Sequence, residues 1–201
     1  MFYYRDSGTM DRLFRFEIKR KISHMGLSFY PFLFIYFGIQ KETAILLSLI
    51  YIVAWYGSEV LRVRYGVNTP TAFLVRNTSR HSFAGDLKKH WKRIRVPYWA
   101  FGLTIVLVLF NYQALLAATV VLVFGDSASA LVRAGTKIYD KKLGYVAGVV
   151  TSALILFVLT LSLPLSVFPS VIGMIGDVFS GKVNDNLTIP VLAGLTAYLI
   201  F

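Results

Sequence analysis

The chain has 201 residues, a formal net charge of +11, 56% hydrophobic residues and no cysteine. It therefore carries more apolar surface than one soluble core of this size needs, and disulfides, thiol chemistry and cysteine-ligated zinc or iron–sulfur centres are excluded. The three histidines, His24, His81 and His90, share no close ligand spacing, so a metal here would be oxygen-bound, which favours Mg²⁺ over transition metals.

The first 21 residues are charged and lack the short apolar run of a cleavable signal peptide. Within them, Asp11 to Lys21 reads as an amphipathic helix lying in the membrane interface on Leu13, Phe14 and Ile18. A bilayer core needs roughly 20 apolar residues at 1.5 Å of helical rise each. Apolar segments follow at about 22–39, 43–61, 96–112, 113–132, 143–164, 169–180 and 187–201. The expected fold is an all-α, polytopic transmembrane helical bundle of about seven spans, forming a single domain over 1–201. The sixth segment is short and contains Gly173, Gly176 and Asp177, as a half-span or re-entrant element would.

Between the second and third segments runs the one long polar stretch, about 62–95, with a turn signal at Asn68-Thr69-Pro70 and a basic run from Lys88 to Arg95. It reads either as a solvated juxtamembrane loop or as a basic cytoplasmic cap facing a nucleotide. Asn111 and Tyr112 leave almost no linker between the third and fourth segments, which predicts a tight antiparallel hairpin. Gly144, Gly148 and Ser152 recur every four positions, a spacing that lets a neighbouring helix approach closely.

With the N-terminus in the cytoplasm, every one of the 21 Lys and Arg residues except Lys41 falls on the inner side. That is the asymmetry of the positive-inside rule. It also accounts for the net charge without invoking nucleic acid, because basic loops beside membrane spans meet anionic lipid headgroups.

Four of the ten acids, Glu59, Asp126, Asp177 and Asp185, sit at or inside predicted spans. A carboxylate near hydrocarbon costs several kcal/mol on insertion scales, so it normally faces a partner or a water-filled site. All four map to the inner ends of their helices. Simpler accounts exist for three: a local ion pair of Glu59 with Arg62, a helix end at Asp177 beside Gly176, and an N-cap pair at Asp185-Asn186 with Pro190 in the first turn. Asp126 differs, since it follows Gly125 and precedes the small residues Ser127-Ala128-Ser129-Ala130, which would admit a bulky ligand close to the backbone.

Three patches, in order along the chain, resemble the CTP-dependent lipid kinases that include dolichol kinase, phytol kinase and yeast-type diacylglycerol kinase. Glu17-Ile18-Lys19-Arg20-Lys21-Ile22-Ser23-His24 is similar to that family's Arg-Lys-x-x-His entry to a span. Gly125-Asp126-Ser127-Ala128-Ser129-Ala130 resembles the Gly-Asp-x-x-Ala segment that the family shares with CDP-lipid synthases, and Asp185-Asn186-Leu187-Thr188-Ile189-Pro190 resembles its Asp-Asn-x-Thr-x-Pro ending. Glu59-Val60-Leu61-Arg62 resembles a further Glu-x-x-Arg element. The chain departs from the family at Asp140-Lys141-Lys142-Leu143-Gly144, where a Glu is missing, and at Asp177, where relatives carry the longer Glu.

The resemblance implies transfer of the γ-phosphoryl group of CTP to the hydroxyl of a membrane lipid alcohol, with a polyprenol or other isoprenoid alcohol favoured over diacylglycerol. It implies that Asp126 and Asp185 hold Mg²⁺, with Glu59 or Asp177 completing the shell or taking the alcohol's proton. Lys21, Lys141 and Lys142 become the phosphate-binding candidates, with Arg20 and Arg62 behind them, and Asn186 and Ser127 beside the nucleotide. No Gly-x-x-x-x-Gly-Lys-Ser/Thr loop occurs, so the nucleotide would be held by another construction. Two rivals are a CDP-lipid synthase, using the same Gly-Asp segment, and a small transporter, which predicts acids spread through the bilayer depth and an internal repeat.

Overall fold

A computed structural model describes residues 7–71, 97–136, 141–178 and 184–201, with side chains from Phe14 onward except those of Lys141 and Val178. The basic run Lys88 to Arg95, and Lys137, Asp140 and Lys182, lie outside the described residues. Within them the fold is all-helical, with no strand. The helices are α1 (Ser7–Ser28), α2 (Tyr30–Tyr36), α3 (Lys41–Tyr65), α4 (Tyr98–Leu109), α5 (Tyr112–Gly135), α6 (Lys141–Thr160), α7 (Leu163–Val178) and α8 (Asp185–Ile200). Three of them, α3, α5 and most of α6, are long and apolar enough to cross a membrane, and α4, α7 and α8 are shorter apolar helices.

The α5 helix is the centre of the bundle. Its most apolar stretch is 72% buried, against 22% for those of α3 and α6, so α5 is sheathed by protein while α3 and α6 keep wide apolar faces outward. The helices packed around it are α1, α2, α4, α6, α7 and α8. It starts where the sequence predicts a tight hairpin: Phe110 and Asn111 are extended, and the Asn111 side chain caps α5 by accepting the Ala114 N–H at 2.8 Å. At the same end the Lys41 ammonium donates to the Phe110 carbonyl at 2.8 Å, and the Tyr112 hydroxyl donates to the Ile39 carbonyl. These contacts lace the α2–α3 turn to the α4–α5 turn.

Halfway along, α5 is interrupted by a π-helical segment, Val121–Gly125, immediately before Asp126. Such wide turns are rare and concentrate at functional sites. The widening is accommodated by glycine. A Cβ at Gly148 of α6 would stand 2.8 Å from the Gly125 carbonyl oxygen, and one at Gly144 would stand 2.6 Å from Arg133 Cγ. The Gly144, Gly148, Ser152 stripe thus seats α6 directly on the π segment and the helix after it. Gly148→Ala is expected to cost about 1–3 kcal/mol, as overpacking usually does, read as a lower unfolding temperature in detergent. An unchanged temperature would mean that the two backbones tolerate separation there.

Three boundaries differ from the sequence reading. The predicted interfacial helix and the start of the first predicted span are one continuous helix, α1, and the remainder of that span is the separate short α2. The sixth segment begins earlier than predicted, at Leu163. Leu161 adopts a left-handed backbone (φ 53°) that ends α6 at Thr160, and Pro164 in the first turn then restarts the chain as α7. Finally, the N-cap of α8 is Asn184, which accepts the Asn186 N–H at 3.0 Å, so Pro190 lies one turn further in. Asp185 is the first helical residue, and its side chain is left for other contacts.

Candidate functional site

Asp126 lies about 21 Å along α5 from Tyr112 at 1.5 Å per residue, just past the middle of that helix and level with the end of α7 and the start of α8. There α5, α7 and α8 bring Asp126, Asp177 and Asp185 together, each offering a carboxylate oxygen, with these oxygens all within 4.8 Å of one another. Asp126 and Asp177 are buried and Asp185 is half-buried. Residues up to 59 positions apart in sequence converge because small residues let the helices close up. Gly176 sits against Thr188 and Ile189 on α8, and Gly102 of α4 sits against Pro190 and the Asn186 carbonyl on its other side.

Two of the three acids have a counter-charge of their own. Lys21 of α1, itself buried, forms an ion pair with Asp126. Asp177 accepts from the Ser129 hydroxyl at 3.0 Å and pairs with Arg133 at 3.1 Å, while the Arg133 Nε donates to the Ser129 carbonyl at 3.2 Å. Asp185 accepts the Asn186 backbone N–H at 2.8 Å. Lys21 and Asp185 lie just outside the predicted apolar spans. Burial pulls the Lys21 ammonium down from its ordinary range, against the attraction of Asp126. Burial, followed by the neighbouring Asp126 carboxylate, pushes the Asp185 carboxyl up, with Lys21 opposing. The group is thus short of positive charge around Asp185.

The other predicted site residues are distributed as follows. Glu59 and Arg62 form a fully buried pair one turn apart on α3, with contacts at 2.6 and 3.0 Å, and Glu59 is not part of the carboxylate group. Arg20 is bound to Glu17 at 2.7 Å, and its charge acts on Lys21 and Asp126. Ser127 is buried, with its hydroxyl lacking a hydrogen-bond partner. Lys142 is exposed in the first turn of α6, and the Lys141 side chain falls outside the described residues. Asn186 lies within interaction range of the imidazole of His24, whose two ring nitrogens are buried.

Ser129 and Arg133 are the participants that the sequence reading passed over. They stand three and seven residues after Asp126, on one helical face, and that spacing was the available signal.

The donor set suits a hard divalent cation. Carboxylate oxygens from three rigid helices, with no nitrogen or sulfur ligand among them, match what Mg²⁺ takes. Three acids this close are also mutually repulsive unless a cation or proton lies between them. Ser127 adds an orphaned buried hydroxyl next to Asp126, of the kind that a bound group would satisfy. The chain matches no protein family, no curated protein and no solved structure, so these residues alone carry the functional argument.

Proposed function

We propose that this chain is a seven-span integral membrane phosphotransferase with its N-terminus and its acidic centre on the cytoplasmic side. It moves the γ-phosphoryl group of CTP to the hydroxyl of a membrane lipid alcohol of the isoprenoid class. The observation that carries the reading is the convergence of Asp126, Asp177 and Asp185, from three different helices, on one buried point flanked by Lys21 and Arg133. Phosphoryl transfer asks little covalent chemistry of a protein. It needs a place for metal-bridged phosphates, cations to hold them and a hydroxyl brought into line.

The three aspartates would hold the divalent ion, which when bound neutralises the phosphate oxygens as charge shifts between them. Lys21 and Arg20 approach from α1 and Arg133 from α5, giving cations on two sides. In the transfer a bond forms between the lipid oxygen and the γ-phosphorus, and the bond from that phosphorus to its bridging oxygen breaks, releasing CDP. The hydroxyl proton passes to one of the three carboxylates. Concentration of the acids at one end of the bundle is the feature that sets this reading above a transporter, whose ionisable groups would line a path through the bilayer.

The test is a product assay. Purified protein in detergent or liposomes, given CTP labelled at the γ-position, Mg²⁺ and a panel of prenols and diacylglycerol, should transfer label to lipid and release CDP. Label recovered in pyrophosphate would identify a cytidylyltransferase instead, and no consumption of CTP with any acceptor would end the enzymatic reading.

A further inference from the structure

Of the eight buried side-chain polar atoms without a geometric hydrogen-bond partner among the described residues, five belong to residues of α1, α3 and α4 gathered around one cluster of rings. They are the two ring nitrogens of His24, the Ser48 and Thr104 hydroxyls and the Tyr51 hydroxyl. An unsatisfied polar atom is costly to keep in a helical membrane protein, and beyond the Tyr30 hydroxyl near Ser48 and Thr104 and Asn186 near His24 this cluster offers few partners, so it suits a guest with polar atoms of its own. The surroundings are aromatic. Tyr30 stacks on Tyr51 with ring centres 5.5 Å apart, Trp99 meets Tyr51 at 5.5 Å and Trp55 at 6.1 Å, and His24 meets Trp99 at 6.3 Å.

The main described neighbour of α3 is α4, and the space between α3 and α2 is bridged by the rings of Tyr30 and Tyr51. These two rings and Trp55 are half-buried, whereas Ser48 and Thr104 beside Tyr30 are buried. The Tyr30 hydroxyl lies within interaction range of both Ser48 and Thr104. The layer therefore opens through rings toward the outward face of α3 and closes on hydroxyls. At its other end His24 feels the charges of Lys21 and Asp126, which connects the layer to the acidic centre.

We infer that the aromatic layer between α2, α3 and α4 is a lateral binding site for the hydroxyl-bearing end of a single-chain lipid alcohol, received from the bilayer and held by Ser48 and Thr104. The occupant is amphiphilic because the walls are: a chain end slides between rings, and its one hydroxyl joins the Ser48, Thr104 and Tyr30 hydroxyls. This site rests on the proposed phosphotransferase reading only for what becomes of the alcohol; binding itself needs neither CTP nor metal.

The experiment follows the two tryptophans in the layer. In a Trp91→Phe background, which leaves Trp55 and Trp99, 12-bromododecan-1-ol should quench fluorescence saturably, while 1-bromododecane should quench only in proportion to its concentration. Ser48→Ala with Thr104→Val removes both hydroxyls at nearly constant shape and should weaken alcohol binding roughly tenfold, the size expected for two modest hydrogen bonds. Thr104→Ser, which keeps the hydroxyl, should bind as the parent does and guards against a folding defect. Equal, non-saturating quenching by both bromides, or an unchanged alcohol affinity in the double variant, overturns the site. Saturable binding without any phosphoryl transfer would instead leave the site standing and remove the kinase reading.

Discussion

Asp126→Asn is expected to lower CTP-dependent lipid phosphorylation by about 10²–10³-fold, the scale of losing one preorganised electrostatic contact at a reacting phosphate. The substitution keeps the side chain's shape and removes its charge. Among the three acids Asp126 is the one that joins α1 to the centre through Lys21 and also stands within reach of Asp177 and Asp185. Because the change strips Lys21 of its partner, stability has to be followed in the same preparation. Asp185→Asn provides the control, since it removes a charge from the same group and leaves the Lys21–Asp126 pair in place. Both variants should insert and fold, and both should lose activity without a matching rise in the KM for the lipid. Turnover near the parent level in either one, with normal metal dependence, would show that the aspartates do not form a metal centre.

How much of this could be read from the chain depends on the scale of the feature. The helical, apolar character of the segments, the α4–α5 hairpin at Asn111 and the close approach along Gly144 and Gly148 follow from local composition and reappear in the structure, although the first segment is divided between α1 and α2 and the sixth begins earlier. Asp126 was marked by its setting among small residues. The division of α1 from α2, the left-handed Leu161 and the π segment before Asp126 were not legible, because each is decided by what packs against it rather than by its own residues. The same limit explains Glu59. Its position near the end of a predicted span was indistinguishable from that of Asp177, yet one acid pairs within its own helix and the other reaches across to Ser129 and Arg133. Asp185 was separable from an N-cap only once Asn184 was seen to do the capping.

Lys21→Met is expected to destabilise the protein by about 3–5 kcal/mol when divalent ions are chelated, the usual cost of removing one partner of a buried ion pair. Lys21 and Asp126 are both almost fully buried, so solvent screening offers little relief. Without the ammonium, Asp126 faces Asp177 and Asp185 with Arg133 engaged on Asp177 and Arg20 bound to Glu17 as nearby cations. Repulsion within the group then rises, and a divalent ion becomes the natural replacement for the lost charge. A ligand that binds only the folded state stabilises it by RT ln(1 + [L]/Kd), and the three carboxylates without Lys21 should have a lower Kd for Mg²⁺ than they do with it. Thermal unfolding in detergent, run with EDTA and with millimolar Mg²⁺, should therefore show a larger Mg²⁺-dependent rise for Lys21→Met than for the parent. A variant that is weakened but gains no more from Mg²⁺ than the parent would show that Lys21 and a metal do not share the Asp126 carboxylate, and the cation-binding role of the three aspartates would fall with it.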